Sequence, residues 1–259
     1  MKNNNISVFI ITKNEEDRIT NVIKAVQIFA DEIIVVDSGS NDKTVEISKN
    51  LGANVFFNKW IGYGQQKIYG ENLCKNDWIL NIDADEEVSL ELGNEILNLT
   101  KRGFQNNIGG YKIKIANKFR FENKPHKYAY FYNQLRLYNK NFAGFKDSTV
   151  HDSVAVKDKN IRIGQLNNLI YHQSFRSFSH WIEKINYYSS MQAEDSFYKG
   201  KRPSGIKILL SPFFAFFKAY FIRRYFIYGL NGIIYSFLFA FSRLAKMIKT
   251  REIFLAKKQ

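Results

Sequence analysis

The sequence has few of the residues that crosslink a chain or interrupt regular structure. It contains one cysteine, Cys74, and three prolines in 259 residues. A single cysteine excludes an intrachain disulfide and fits a reducing compartment. The apolar run at residues 6–11 is too short for the core of a signal peptide, so we expect the body of the protein in the cytoplasm. Glycine-rich phosphate loops of the GxGxxG or P-loop kind are also missing, which excludes the usual dinucleotide and NTPase motifs.

Acidic residues are almost missing from the last part of the chain. From Lys199 to Gln259 there are 13 Lys or Arg residues and one acid, Glu252, whereas the first 198 residues are nearly neutral. The net charge of +14 therefore resides mostly in this tail. A neutral body with a basic tail suggests a polyanionic partner, either a nucleic acid or an anionic membrane.

The first hundred residues alternate between two apolar periods. Short β-branched runs predict strands at residues 7–12, 32–36, 53–57 and 78–82. Helix-like stretches lie between them, at residues 15–30, 42–51 and 64–75. This alternation predicts βαβ units and a mostly parallel sheet with both faces covered, the α/β class.

The pattern changes after residue 109. Further strands are predicted at residues 110–116, 134–139 and 150–156, and a helix at residues 178–198. Composition changes again near Arg202, where a Pro-Ser-Gly sequence follows. We therefore expect an α/β domain over residues 1–202 and a helical, basic and aromatic tail over residues 203–259.

The tail is rich in Phe and Tyr, with Lys218, Arg223 and Arg224 in its middle. Its longest uncharged stretch, residues 225–242, is close to the roughly 20 apolar residues that a spanning helix needs. The mid-tail charges favour amphipathic helices lying in the membrane interface. Helices packed on the body and a true span are the alternatives. Apolar stripes of this length are not typical of a solvated nucleic-acid-binding arm, so we expect no nucleic-acid partner.

The strongest candidate for chemistry is the sequence Asp83-Ala84-Asp85, which follows the predicted strand 78–82. Carboxylates at i and i+2 of an extended segment point the same way. Their oxygens suit Mg²⁺ or Mn²⁺, and such a cation binds a diphosphate. Open α/β sheets bind ligands at the carboxyl ends of their strands. We expect Glu86 and Glu87 in the first turn of the next helix.

Asp37 ends another predicted strand and precedes the turn Ser38-Gly39-Ser40. A carboxylate at this place can accept hydrogen bonds from a ribose or a base. It can also simply cap the turn into the following helix. The residues by themselves leave both roles open.

Four ordered motifs resemble those of inverting family-2 glycosyltransferases with the GT-A fold. They are Thr12-Lys13-Asn14-Glu15-Glu16, Val35-Val36-Asp37-Ser38-Gly39-Ser40-Asn41-Asp42-Lys43-Thr44, Trp60-Ile61-Gly62-Tyr63-Gly64-Gln65-Gln66-Lys67 and Trp78-Ile79-Leu80-Asn81-Ile82-Asp83-Ala84-Asp85-Glu86. The sequence most resembles the lipopolysaccharide core β-glucosyltransferase group, which shares the second and third motifs and an aromatic, basic tail.

The resemblance implies a role for each matching residue. A nucleotide-sugar donor would be bound by Thr12, Asn14, Glu15, Asp37, Ser38, Lys67 and Asp83. Asp85, together with Asp83, would ligate the Mg²⁺ or Mn²⁺ ion, and Lys67 would help to neutralise the diphosphate. A solvated helix lysine is the alternative for Lys67.

The resemblance also implies a catalytic base well after the second aspartate, often beside a histidine. The pair His151-Asp152 fits this description, so Asp152 is the predicted base and His151 its positioning partner. A turn at a strand end is the alternative, and Asp147 is the second candidate base. Three other histidines are expected to be structural or surface groups, since no metal-ligand spacing links them: His126, His172 and His180.

These features predict a metal-dependent inverting glycosyltransferase. It would move a hexose from a UDP-sugar to a hydroxyl of a lipid-linked glycan such as lipopolysaccharide core, bound peripherally at the cytoplasmic face of the inner membrane. The main alternative is a polyprenyl-phosphate sugar synthase, whose acceptor is already an anion and needs no strong base. A non-enzymatic nucleic-acid-binding protein is a distant alternative, suggested only by the basic tail.

Overall fold

The computed structural model describes residues 5–145, 153–158 and 160–257. The first elements are β1 (Ile6–Thr12), α1 (Ile19–Val26), β2 (Glu32–Asp37), α2 (Thr44–Asn50), β3 (Asn54–Phe57), α3 (Tyr63–Leu73) and β4 (Trp78–Asp83). The four strands pair in parallel in the order β3-β2-β1-β4. The predicted βαβ alternation is confirmed, and each predicted strand lies within one residue of its observed bounds.

Both faces of this parallel sheet are covered. Strand β1 is buried along its whole length. Because strand side chains alternate, Val8 and Ile10 pack into the core on one face, whereas Phe9 and Ile11 pack into the core on the other. This double burial explains the continuous apolar runs from which the strands were predicted.

The second half of the sheet is mixed. Its elements are β5 (Glu86–Val88), α4 (Leu90–Arg102), β6 (Ile108–Asn117), β7 (Phe131–Asn139) and β10 (Arg162–His172). Strand β7 pairs antiparallel with both β4 and β6, and β10 pairs antiparallel with β5 at the far edge. A separate antiparallel pair consists of β8 (Ala143–Phe145) and β9 (Val154–Val156). The result is an α/β fold around a mixed sheet.

One sequence prediction was wrong here, and one strand was missed. Glu86 and Glu87 do not begin a helix, because they form β5 and pair with the end of β10. The helix starts only at Leu90, where the Ser89 hydroxyl accepts a hydrogen bond from the backbone N–H of Leu92 at 3.1 Å. Strand β10 was not predicted at all. Of the predicted strand at residues 150–156, the structure describes β9, and residues 150–152 lie outside the described residues.

The chain divides into two compact units. One unit is Met1–Ala116 with Phe131–Gln173, and the other is Asn117–Tyr130 with Ser174–Gln259. The second unit contains α5 (Phe178–Tyr198), α6 (Gly205–Phe217) and α7 (Gly229–Ala256). The predicted helix at residues 178–198 is confirmed at both ends. The second unit thus includes residues before 202. The predicted division into a catalytic domain over residues 1–202 and a membrane-associating tail over residues 203–259 stays a prediction.

Two helical stretches of the second unit are long and apolar enough to cross a membrane, namely Gly205–Ile222 and Tyr225–Ala256. This result rests on length and composition alone. A packed core helix meets the same criteria, so the result gives only weak support to membrane association.

Candidate active site

The Asp83-Ala84-Asp85 sequence runs from the end of a strand into a turn. Strand β4 ends at Asp83, and Ala84 and Asp85 form a turn into β5. The backbone N–H of Gln173 donates to the carbonyl of Asp85 at 2.9 Å, which holds this turn against the end of β10. The prediction of one extended segment through both aspartates is therefore wrong. The carboxylates are still close enough for the charge of Asp85 to raise the pKa of Asp83.

Two buried cations flank the Asp83 carboxylate. Lys67 Nζ lies 2.9 Å from one oxygen, and an Arg136 guanidinium nitrogen lies 3.3 Å from the other. The Lys67 side chain is 0% exposed, so it is not a solvated helix lysine. Burial by itself raises the pKa of Asp83, but Lys67 and then Arg136 outweigh that effect and hold the pKa below its ordinary value. Asp83 is therefore ionised at neutral pH.

Arg136 connects Asp83 to two further polar side chains. Its guanidinium donates to Asn81 at 2.9 Å and to Glu86 at 2.6 Å. The second carboxylate oxygen of Glu86 accepts from the backbone N–H of Asp83 at 3.1 Å. Arg136 was not predicted as a site residue, and the available signal was a basic residue between two leucines within a predicted strand.

His172 lies beside the second aspartate. Its Nε2 is 3.4 Å from a carboxylate oxygen of Asp85, and its Nδ1 is 3.3 Å from the hydroxyl of Tyr132. Burial lowers the pKa of His172, but the carboxylates of Asp85, Glu86 and Asp83 together outweigh that effect, so the pKa lies above its ordinary value. The sequence assigned His172 to the structural or surface groups, and the structure places it beside a predicted metal ligand. No sequence spacing indicated this contact, because the pairing of β10 with β5 creates it.

The structure allows a limited test of the metal prediction. Among the described residues, no group of three or more His, Cys, Asp and Glu side chains is placed to hold a metal ion. Asp85 and His172 form a two-residue donor set, a carboxylate and an imidazole, both of which suit Mn²⁺. Among the residues that the structure describes, no third His, Cys, Asp or Glu side chain joins this pair.

The loops that follow β1 and β2 are hydrogen-bonded to each other. Asn14 has a left-handed backbone with φ of 56°. Its N–H donates to the Ser40 hydroxyl at 2.8 Å, and its side-chain oxygen accepts from Asn41 N–H at 2.8 Å. The backbone N–H of Glu15 donates to the Thr44 hydroxyl at 2.7 Å. These contacts fix the loop 12–15 against the turn that begins at Asp37.

Asp37 caps its own turn. One carboxylate oxygen accepts from the backbone N–H groups of Gly39 and Ser40, at 2.8 and 2.9 Å. The Ser38 hydroxyl accepts from the side-chain amide of Gln66 at 3.0 Å. By contrast, the Thr12 hydroxyl is buried without a hydrogen-bond partner among the described residues. The capping role of Asp37 is thus present, whereas its role toward a nucleotide stays a prediction.

Sheet register brings these two groups to the same edge. Asp37 lies opposite Thr12 in the β1/β2 pair, and Asp83 lies opposite Ile11 in the β1/β4 pair. The carboxyl ends of three neighbouring parallel strands therefore carry Thr12, Asp37 and Asp83 side by side. This is where open α/β sheets bind ligands.

The predicted base lies elsewhere in the chain. Asp152, its partner His151 and the second candidate Asp147 are all outside the described residues. The strand before that segment, β8, ends at Phe145, whose ring centroid is 5.5 Å from Lys67 Nζ. Phe145, the last residue described before this segment, thus lies beside Lys67.

Comparison with known proteins identifies relatives over nearly the whole chain. The family model described as "Glycosyl transferase family 2" matches residues 7–158. An uncharacterized glycosyltransferase of Rickettsia bellii is 47% identical, and the match covers 96% of this chain and 87% of that one. The lipopolysaccharide core biosynthesis glycosyltransferase LpsC of Rhizobium meliloti is 27% identical, with 96% of this chain and 93% of that one covered.

A solved structure gives a weaker likeness. Glucosyl-3-phosphoglycerate synthase from Mycobacterium tuberculosis, in complex with Mn²⁺, uridine diphosphate and glucosyl-3-phosphoglycerate, is 24% identical with a TM-score of 0.35. The match covers 45% of this chain and 44% of that one, so this chain spans less than half of that protein. A likeness of this size does not bear on the chemistry of the site.

Proposed function

This chain belongs to glycosyl transferase family 2, and from that premise we propose that it moves a hexose from a UDP-sugar, with Mg²⁺ or Mn²⁺, to a hydroxyl of a lipid-linked glycan. The observation that carries the proposal is the cluster at the carboxyl end of β4, where Lys67, Asp83, Asp85 and His172 meet. The buried cations Lys67 and Arg136 lie close to the carboxylates of Asp83 and Asp85. This mixture of charges suits a ligand that itself carries both a metal ion and phosphate groups.

Asp85 and His172 are the residues that would hold the divalent cation. A neutral imidazole is needed for this, and Tyr132 at Nδ1 suits an arrangement in which Nε2 faces the metal. The sequence predicted Asp83 as a second metal ligand. Asp83 fits a different role here, because both of its carboxylate oxygens already contact Lys67 and Arg136. When bound, the cation would offset the charge of the departing diphosphate.

The nucleotide would occupy the neighbouring edge. Thr12 offers a buried hydroxyl, and the fixed loop through Asn14 and Glu15 supplies further polar groups beside it. Asp37 and Ser38 complete this side of the proposed site. In this arrangement Lys67 has two functions, since it holds Asp83 ionised and adds positive charge close to the diphosphate.

The transfer itself needs a base for the acceptor. The acceptor oxygen attacks the anomeric carbon, the bond from that carbon to the diphosphate oxygen breaks, and the hydroxyl proton passes to the base. We assign that role to Asp152, with His151 positioning it. A single displacement of this kind inverts the configuration at the anomeric carbon.

The acceptor and the location are argued from the tail and from one relative. LpsC acts in lipopolysaccharide core biosynthesis, and its likeness to this chain extends through the tail. The basic tail with its two apolar helices fits a peripheral enzyme at the cytoplasmic face of the inner membrane, where a lipid-linked acceptor is presented.

A donor screen tests the proposal. Nucleotide release from a panel of nucleotide sugars is measured with and without Mn²⁺, for the natural chain and for Asp85→Asn. Asp77→Asn is the matched control, since this exposed aspartate lies just before β4, at the opposite end from Asp83. We expect metal-dependent release that Asp85→Asn abolishes and Asp77→Asn leaves intact. No release from any nucleotide sugar, or near-normal turnover of Asp85→Asn, would contradict the assignment.

A further inference from the structure

The outward face of α6 is apolar. Along α6 and the helical turn after it, large exposed side chains recur at intervals of three and four residues: Ile206, Leu209, Phe213, Phe214, Phe217 and Phe221. This spacing places them on one side of the helix. Soluble monomers rarely expose contiguous apolar patches above a few hundred Å². The four phenylalanines, each more than half exposed, reach on the order of 500 Å² by themselves.

The first half of α7, which packs against α6, also exposes large apolar side chains. Helices α6 and α7 form an antiparallel hairpin, since Ser211 contacts Met247 at 3.2 Å while Phe216 and Phe237 lie 4.8 Å apart between ring centroids. On α7, further large apolar side chains are exposed, including Leu230, Ile234, Phe237 and Phe241. We call the exposed apolar side chains of α6 and of this half of α7 the hairpin face.

The tip of the hairpin is anchored inside the second unit. Tyr225 and Ala219 are buried against Phe119 and Trp181. Gly232 allows α7 to pack directly against the backbone of Tyr225, because a Cβ at this position would lie 1.8 Å from the Tyr225 carbonyl oxygen. Phe119 follows β6 by two residues, and Trp181 lies in α5. If α6 crossed a bilayer, Tyr225 and the Phe119 and Trp181 side chains around it would have to lie on the far side of that bilayer.

Helix α7 is held along its length by α5. Tyr235 packs near Trp181, Lys249 donates to the carbonyl and side chain of Asn186 at 2.7 Å, and Phe254 lies 4.8 Å from Phe197 between ring centroids. Helix α5 carries acidic residues such as Glu183, Glu194 and Asp195. Carrying these acids into the hydrocarbon core beside α7 would be costly, which argues against a span.

The charged residues of the hairpin itself, up to residue 251, are all of one sign. Residues 205–251 contain no Asp or Glu, and the exposed Lys207, Lys218 and Arg224 lie on α6 or directly after it. If a second copy of the chain docked on this face, the Lys and Arg side chains of one copy would lie against the same side chains of the other and repel them. An anionic leaflet complements both the apolar side chains and the positive charge.

We propose that the hairpin face is the membrane-binding surface of this protein and that it lies flat in the headgroup region of a bilayer containing anionic phospholipid, without spanning it. The inference deepens the proposed membrane location and rests on it, but its test needs neither donor nor acceptor. The apolar side chains enter the boundary of the acyl chains, while the lysines and arginines reach the headgroup phosphates.

The test uses the full chain and sedimentation with vesicles of phosphatidylcholine, with or without phosphatidylglycerol. One variant combines Leu209→Ser, Phe213→Ser and Phe217→Ser, and its control is Leu90→Ser, which replaces an equally exposed leucine of the first unit. A second variant combines Lys207→Gln and Lys218→Gln, and its control combines Lys24→Gln and Lys101→Gln, both exposed on other helices. All substituted side chains are at the surface, and circular dichroism checks that each variant folds.

We expect the natural chain to sediment with anionic vesicles and to be released by alkaline carbonate. The serine variant should lose binding by at least about tenfold, and the glutamine variant by about fivefold for each lysine on anionic vesicles only. Both controls should bind normally. Resistance to carbonate would overturn the inference in favour of a span. Normal binding by the serine variant, or a dimer that ignores vesicles, would overturn it in favour of another surface or a second copy. If the donor screen fails while these results hold, the proposed chemistry is wrong and the membrane surface stands.

Discussion

The burial of Lys67 makes a sharp prediction about stability. Replacing Lys67 by methionine keeps much of the length and apolar character of the side chain but removes its charge. The Asp83 carboxylate then loses the cation that lies 2.9 Å from one of its oxygens. We expect the variant to be less stable and to bind the nucleotide donor weakly, because Asp83 is no longer held in place as a fully compensated anion.

The size of the effect follows from the geometry of the pair. Removing one partner of a fully buried ion pair costs about 3–5 kcal/mol. The Asp83 side chain is 28% exposed and keeps Arg136 at 3.3 Å, so its charge is still partly compensated. We therefore expect a smaller loss, about 2–3 kcal/mol in the free energy of unfolding. For a chain of this size that corresponds to a decrease in Tm of roughly 4–12 °C.

The assay is thermal and urea unfolding followed by circular dichroism, with Lys75→Met as the matched control. Lys75 also contacts a carboxylate, with its Nζ 3.5 Å from Glu32, but its side chain is 82% exposed. An exposed pair of this kind contributes about 0–1 kcal/mol. Equal changes in stability for Lys67→Met and Lys75→Met would refute the argument that burial makes the Lys67–Asp83 pair energetically important.

Three further predictions concern the metal, the base and the hairpin. His172→Gln should weaken the Mn²⁺-dependent part of nucleotide binding by at least about tenfold in calorimetry, with metal-free binding unchanged; equal loss with and without metal would contradict this role. Asp152→Asn should lower turnover by about 10²–10⁴-fold while donor affinity is retained, and full turnover would pass the role of base to Asp147 or favour a phosphate acceptor. Gly232→Ala should destabilise the second unit by about 3 kcal/mol in urea unfolding, whereas Gly205→Ala, which meets no atom within 4 Å, should stay within about 0.5 kcal/mol of the natural chain.

The local pattern was sufficient for the parallel half of the sheet. Strands buried on both faces need continuous apolar residues, and the polar residues that end them mark the carboxyl edge. The apolar runs at residues 7–12, 32–36 and 78–82 therefore predicted strands β1, β2 and β4. They also predicted the common edge of the sheet that carries Thr12, Asp37 and Asp83. The family motifs are confined to this same part of the chain, which is why the resemblance was visible there.

The antiparallel half was hidden because its partners are distant in sequence. Strand β10 carries mixed polar and apolar residues and was not predicted, although its pairing with β5 places His172 beside Asp85. Arg136 had no visible role until β7 paired with β4 and brought its guanidinium to Asp83 and Glu86.

The same limit applies to single side chains and to the tail. The sequence by itself determined that Lys67 lies on a helix and that residues 206–241 are apolar and basic. Only the tertiary structure decided that Lys67 is buried against Asp83, and that the tail folds back between α6 and α7 with its tip in the core of the second unit. The physical reason is that burial and ion pairing depend on which surfaces meet, and the hydrophobic effect specifies no direction for an individual side chain.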